Sequence, residues 1–473
     1  MNRKWIFFLL LVQACILANV FVQTCLGLPN SKRTITDYSD LQKTTITDLL
    51  QPTTITEIQE IIQNAKRGPL SIAGARYSQG GQICGDGATV IDMTKLTKIV
   101  SIDLRKKTIT VQAGATWRTI QDYIDPYNLS VAIMQSYNNF TIGGSLSVNI
   151  HGRYLGYGPL IQTVLSIKIV LADGSIKTAS RSENSNLFFA AIGGYGALGI
   201  IVEATLQLTD NCAIERITKL MPLTDYPQYF KTTVKNNPTA QLHNADLYPD
   251  DYTKVLSTTW YKTDKEPAAT RLQPYSAHPI LNYIKIAAVK RIPFIQQARP
   301  LLEEKKGKEL DPIVVWRNYE ASYGVDDLYF PKWVSVSLLQ EYFIPVDQLL
   351  VFLRELQKIN AAHPINIMNI SLRHVTPNNE SILSWSAKES FAIVIFYDQW
   401  KTPAALRNGD IFIKKLIATA LNLGGTYYLP YKLAASQQQF NQAYPQAPFF
   451  WQIKKQYDPK NIFSNQFLKT YFY

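Results

Sequence analysis

Cysteine is nearly absent from this sequence: four occur in 473 residues, and Cys15 and Cys25 fall in an apolar N-terminal stretch. The remaining two, Cys84 and Cys212, exclude a disulfide-stapled scaffold and allow one unforced bridge at most. Histidine is also sparse, at five. No Cys/His cluster has ligand spacing, so no metal site is expected. The formal charge is +12, yet zinc-finger spacing, a recognition-helix pattern and an RNA-binding aromatic signature are all missing. Nucleic acid is therefore not an expected partner. There is no internal repeat and no twin-arginine pair. With 46% hydrophobic and 18% charged residues, neither a disordered chain nor a multi-span membrane protein fits. The length calls for two or three lobes.

The N-terminus carries a basic tripeptide, Asn2-Arg3-Lys4, then the apolar run Trp5 to Val22, and small or neutral residues up to Leu28-Pro29. This reads as a secretory signal peptide cut near Gly27, for a periplasmic or secreted protein. The run also reaches the length of a membrane anchor, about 20 residues, so an uncleaved anchor is the second reading.

Residues 28–45 are polar and read as a linker. Helical spacing covers Thr56 to Ala65 and Trp117 to Ile124; Pro69 to Ile72, Thr89 to Met93 and Lys107 to Ala113 read as strands. Val164 to Ala172, Asp173-Gly174-Ser175 and Ile176 to Ala179 form a hairpin with an Asp-Gly turn. Asn186 to Ile192 reads as a short helix, and Gly199 to Leu208 as an alternating strand. After Cys212 the texture changes to more Pro and aromatics. Helices are expected at Asp347 to Asn360 and Asp410 to Leu421, and strands at Trp333 to Glu341, Ile365 to His374, Phe391 to Tyr397 and Tyr427 to Tyr431.

Two Gly-rich loops carry the chemistry. Without Cβ atoms, backbone N–H groups can converge on phosphate oxygens. The first is Ser71 to Gly81 (SIAGARYSQGG), after a strand, which by itself reads equally as an anion-binding nest or as an ordinary hairpin turn. The second is Ser136 to Gly152 (SYNNFTIGGSLSVNIHG), where small and hydroxyl residues persist too long for a plain surface loop. A third segment, Gly194-Tyr195-Gly196-Ala197-Leu198-Gly199, matches the Rossmann fingerprint letter for letter. Its context is inverted, with a helix before and a strand after, so NAD binding through a Rossmann unit is rejected. Three such loops in one lobe imply one long ligand, best a dinucleotide lying extended.

In these loops the sequence resembles the vanillyl-alcohol-oxidase-type FAD-linked oxidoreductases with the PCMH-type FAD domain. Within them it is nearest the branch of aldonolactone oxidases, alditol oxidase and decaprenylphosphoryl-ribose oxidase. The resemblance covers most of residues 46 to 211 and resumes at 365 to 467. It implies an α+β fold: a two-subdomain FAD-binding domain (46–211), an α+β substrate or cap domain (212–422), and a C-terminal segment (423–473) returning to the FAD site. It also implies that Gly74, Ala75, Arg76, Tyr77, Ser78 and Gln79 wrap the pyrophosphate. Ser136, Thr141, Gly143, Gly144, Asn149 and His151 would run toward the isoalloxazine, with Ile201 and Tyr428 also beside the cofactor.

There are two departures from the family pattern. Many members bond the flavin covalently through a His in the first loop; Tyr77 stands there, which predicts non-covalent FAD. The final strand often carries a Lys beside the substrate; here Tyr431 takes that register and Lys432 is one step away, on the opposite side of a strand.

The implied function is oxidation of a CH–OH group in a sugar, polyol, lactone or related alcohol, with hydride transfer to flavin N5 and oxygen, a quinone or a cytochrome as acceptor. Catalytic candidates are His151, Arg373, Tyr428 and Tyr431. His151 either acts directly or buttresses its loop. Ser371-Leu372-Arg373 resembles the Glu-x-Arg pair of sugar-alcohol oxidases, with Ser371 in place of Glu, which puts polyol specificity in doubt. The alternative is an exported flavin-binding protein without turnover. The Lys/Arg-rich stretch Lys285 to Lys308 reads either as a solvated helix face or as a peripheral contact with an anionic membrane.

Overall fold

Thr54 stays extended, and its side chain accepts from the backbone N–H of Glu57, satisfying one donor of the first helical turn. That cap starts α1 (Ile55–Gln63), which buries Ile58 and Ile62. The helix follows β1 (Asp48–Leu50) and precedes β2 (Leu70–Ala73) and β3 (Thr89–Asp92). β3 lies between β1 and β2, parallel to both. Parallel neighbours need a crossover connection, and α1 supplies the one between β1 and β2.

The computed structural model describes residues 33–41, 43–64, 69–248, 251–268, 270–274, 313–324, 332 and 334–473. The leader at 1–27 and the basic stretch Lys285 to Lys308 lie outside the described residues. No helix among the described residues is long and apolar enough to cross a membrane.

A second sheet follows the small parallel one. It uses β4 (Ile99–Asp103), β5 (Thr108–Gln112), β6 (Leu129–Val131), β7 (Val164–Leu171), β8 (Ile176–Ser180) and β9 (Gly199–Asp210). The order is β8-β7-β9-β5-β4, with β6 also pairing with β9. Gly174 takes φ +81° in the β7–β8 turn, and Ser175 N–H donates to Asp173 Oδ1 at 2.9 Å, as an Asp-Gly hairpin requires. Three helices lie between these strands: α2 (Trp117–Ile124), α3 (Ile142–Ser147) and α4 (Ser185–Ala191). The second Gly-rich segment is thus a helix in part. Thr141 caps α3, accepting from Gly144 N–H at 3.3 Å.

The third sheet has eight strands: β10 (Ala213–Pro222), β11 (Ala240–Tyr248), β12 (Asp251–Lys262), β13 (Ile313–Trp316), β14 (Ser335–Pro345), β15 (Asn366–Val375), β16 (Ser390–Trp400) and β17 (Thr426–Tyr427). Their order is β13-β10-β12-β11-β15-β16-β14-β17, and every described pairing is antiparallel. α5 (Leu349–Ala362) and α6 (Pro403–Asn422) belong to this lobe. The residue pattern identifies β14, β15, β16, α5 and α6 but not β10 to β13. β10 shows why: Glu215, Arg216 and Lys219 break its apolar alternation, and the strand stays half exposed.

Two expectations need correction. The segment 28–45 is no free linker where it is described: Ile35, Asp37 and Ser39 are buried, and Gly81 N–H donates to Asp37 Oδ2 at 2.7 Å. Burial pushes the Asp37 carboxyl up, against the hydrogen bonds from Ser39 and Gly81. The strand expected at Tyr427 to Tyr431 also stops at Tyr427, where Tyr427 pairs with Tyr342. Pro430 has no N–H to extend the ladder.

Residues Ile35–Tyr473 form one compact unit. Only Asn211 and Cys212 separate β9 from β10, and Tyr154 bridges to Leu242 across the lobes. The closing segment returns to β2: Leu70 N–H donates to Ile462 O at 2.7 Å and Ser464 N–H to Leu70 O at 2.9 Å. Its anchor is the fully buried ion pair of Lys454 and Asp458, which joins the last turn of α7 (Ala447–Tyr457) to its C-cap.

Candidate active site

β2 delivers the first Gly-rich loop directly against the cap of α3. A Cβ on Gly74 would meet Thr141 Oγ1 at 2.2 Å, and one on Gly143 would meet Ala113 Cβ at 2.9 Å. The missing side chains let the first loop close on the second, and the second on the end of β5, beside a cleft of about 1250 Å³ with its solvent-open mouth included. Arg76 turns left-handed, φ +63°, and its guanidinium pairs with Asp92 at 2.5 Å. Burial raises the Asp92 carboxyl, but bonds from Thr94 and Arg76 outweigh it and hold the group below its ordinary value.

Of the first loop, Gly74, Ala75, Arg76, Tyr77 and Ser78 line this cleft, and the second loop adds Thr141, Gly143, Gly144 and His151. Ile201 on β9, Arg373 on β15, Tyr428 and Tyr431 complete the set of expected residues there. Gln79 and Ser136 line an adjoining cavity of about 1940 Å³ instead. Tyr77, Arg373 and Tyr431 stand in the wall common to both. Asn149 lines neither cavity, against expectation. It takes φ +47°, accepts Ile161 N–H at Oδ1 (3.0 Å), and accepts Trp385 Nε1–H at its carbonyl (3.0 Å). Its work is to hold the loop.

The cleft fits a dinucleotide. Ser78 Oγ is buried without a partner, in a wall where Gly74, Gly143, Gly144 and Gly196 allow close backbone approach. Tyr195, Gly196 and Gly199 of the Rossmann-like segment also line it, between the end of helix α4 and the first residue of strand β9.

His151 is buried, and Nε2 lies 2.5 Å from Glu341 Oε1. The other ring nitrogen, Nδ1, is 3.2 Å from Gly152 O. Tyr431 O–H donates to Glu341 Oε2 at 3.2 Å. Glu341 sits on β14 and lines the cleft; sequence reasoning missed it. A signal was available: a lone carboxylate inside the apolar strand Val336 to Ile344 needs a partner once it is buried. Burial, then the Glu341 charge, pushes the Tyr431 hydroxyl well above its ordinary range. Tyr428 is differently employed. Its O–H donates to Val148 O at 2.9 Å, and its ring packs 6.0 Å from that of His151, so it builds the wall and has no free proton to offer. Lys432 turns away to pair with Asp410 at 2.5 Å.

Ser371 and Arg373 share one face of β15, as expected from strand alternation. Ser371 O–H donates to Asn244 Oδ1 at 2.5 Å. Arg373 Nε is buried with no acceptor.

A sheet-and-loop cleft of this kind, lined by glycine backbone and met by a second lobe, suits an extended dinucleotide cofactor. Residues 48–180 match the family model described as an FAD binding domain. The chain is an FAD-dependent oxidoreductase with a PCMH-type FAD-binding domain over those residues, and it is similar to enzymes of the aldonolactone oxidase branch. It is 21% identical over 439 residues to L-gulonolactone oxidase of Mus musculus, covering 89% of this chain and 94% of that one. It is 25% identical to the mitochondrial L-galactono-1,4-lactone dehydrogenase of Brassica oleracea, over 54% of this chain and 43% of that one. To the putative D-arabinono-1,4-lactone oxidase of Neurospora crassa it is 29% identical, over 33% and 29% of the two chains. The last two matches thus span less than half of those relatives.

Proposed function

We propose that this protein oxidises a CH–OH group of a sugar-like substrate, with non-covalently held FAD in the cleft and the substrate in the adjoining cavity. The observation that carries the reading is the chain Tyr431–Glu341–His151 in the cleft wall. FAD, when bound, supplies a hydride acceptor at N5.

The residues of this chain handle the proton and the position of the substrate. Tyr431 stands between the cavities and takes the substrate hydroxyl proton while its own passes to Glu341 Oε2. The raised Tyr431 pKa favours such a concerted transfer over a standing phenolate. His151, in contact with Oε1, keeps the carboxylate aimed at Tyr431. Arg373 contributes a cationic donor at the substrate oxygens. Ser78 and the loop backbone around Gly74 hold the pyrophosphate.

Tyr77 supports non-covalent attachment. Its ring packs 4.5 Å from that of Phe140, where a covalently linking His would otherwise stand. Export is part of the same proposal and rests on the basic and apolar leader. Oxygen, a quinone or a cytochrome would then reoxidise the flavin.

The test is anaerobic mixing of the yellow holoprotein with a panel of sugar lactones, polyols and hydroxy compounds. Bleaching supports the proposal; flavin that stays inert throughout would make the protein a binder without turnover. Acid precipitation decides the linkage: colour in the supernatant means non-covalent FAD, colour in the pellet a covalent bond.

A further inference from the structure

Two arginines besides Arg373 line the two cavities, and both are neutralised within the protein. Arg76 pairs with Asp92 at 2.5 Å and Arg153 with Glu320 at 3.0 Å. Arg373 has neither a hydrogen bond nor an ion pair among the described residues, and its Nε is buried without an acceptor. The nearby lining carboxylates are already engaged. Glu341 is held by His151 and Tyr431. Asp246 accepts from Asn244 at 2.6 Å and from Asn369 at 2.9 Å. Two residues before Arg373 on the same strand face stands Ser371, whose hydroxyl is turned to Asn244 at 2.5 Å. The wall shared by the two cavities therefore presents a guanidinium fork that no described carboxylate pairs with.

A buried donor left unmade is costly, and a guanidinium fork matches a carboxylate with two parallel N–H···O bonds. A chain of formal charge +12 also enriches anions around it. We infer that the substrate is a hydroxycarboxylate, its carboxylate gripped by Arg373, and that Ser371 sets this specificity by supplying no charge to compete. The inference rests on the oxidoreductase reading and narrows its substrate class. Neutral lactones and polyols lack the group that would satisfy Arg373.

The experiment uses the FAD-loaded full chain under anaerobic conditions. Gluconate and tartronate are titrated against gluconamide and tartronamide, with the flavin absorption band as readout. The acids are expected to bind roughly 100-fold more tightly than the amides, the worth of a charge-assisted pair. Arg373→Met abolishes that ratio. Ser371→Glu abolishes it too, by neutralising the guanidinium while keeping it in place. The FAD content of each variant reports that it has folded.

Amides binding as tightly as acids in the unaltered protein would overturn the inference. So would an acid preference that survives Arg373→Met while the flavin potential shifts, because the guanidinium would then serve the flavin. Chemistry confined to neutral sugars leaves the oxidoreductase reading intact and removes only this one. A chain that holds no FAD before any ligand is added removes both.

Discussion

His151 and Glu341 lie 190 residues apart in sequence and meet at 2.5 Å, Nε2 to Oε1, in the wall of the cleft. One comes from the end of a Gly-rich loop, the other from the middle of a strand in the other lobe. The pair joins the two lobes, and the proton path proposed through it gives the first prediction. Glu341→Gln keeps the shape of the pair and removes the proton acceptor. Flavin reduction by substrate is expected to slow by 10²–10⁴-fold, roughly the worth of a general base. FAD content should hold, measured from the absorption spectrum. Equal reduction rates in the two proteins would remove Glu341 from the reaction.

Gly74→Ala tests the cradle. The new Cβ would lie 2.2 Å from Thr141 Oγ1, so the cap of α3 has to move. A loss of about 1–3 kcal/mol in stability is expected from such overpacking, together with weaker FAD binding. Thermal melts with and without added FAD separate the two effects. An unchanged FAD affinity would show that the close approach of the loops is not what holds the cofactor.

The closing segment rests on a pair with no exposure at all. Lys454 and Asp458 are both 0% exposed at the side chain, and Asp458 also accepts N–H bonds from Ile462 and Phe463, each at 2.8 Å. Burial pulls the Lys454 pKa down, while Asp458 holds it up. Lys454→Met strands a buried carboxylate, and a loss of roughly 3–5 kcal/mol is expected. Asp458→Asn with Lys454→Met together should cost less than the sum of the two, as read from denaturant midpoints in a double-mutant cycle.

His243 makes acid stability predictable. It sits wholly buried among Tyr226, Phe230 and Thr259, and burial together with the His374 charge pushes its pKa from 6.5 down to about 3. Asp246 follows on the same strand, and Glu389 and Lys235 lie around His374. Below pH 6.5 the unfolded chain binds a proton at this site that the folded chain refuses. Stability is then lost as pH falls from 6.5 toward 3, by up to about 1.4 kcal/mol per pH unit. His243→Gln should flatten that part of the melting curve, and a slope unchanged between pH 6.5 and 4 would assign the acid sensitivity to other groups.

Local pattern carried much of this protein. The amphipathic spacing of Trp117 to Ile124, the Asp-Gly hairpin and the small residues of two loops are properties of neighbouring residues. They set helix, turn and close backbone approach wherever the chain is placed. The loops by themselves pointed to an extended dinucleotide; the family resemblance they carry implied FAD, and Tyr77 in the first of them implied that it is unlinked. The partner of His151 could not be read this way, because a contact across 190 positions leaves no trace in local periodicity.

The same limit applies to the other site residues. Strand alternation put Ser371 and Arg373 on one face, yet only the neighbouring strand β11, bringing Asn244, decided that Ser371 turns away and Arg373 is left unpaired. Alternation along a strand is fixed by backbone geometry, while the identity of what stands opposite is fixed by sheet order. Tyr428 reads from sequence as reactive and is held by Val148 O; Asn149 reads as a cofactor contact and is held by Ile161 and Trp385. The sequence by itself determined the class of ligand and the loops that approach it. Tertiary structure decided which side chains remain free to act, because a buried polar group takes whatever partner folding brings within hydrogen-bond reach.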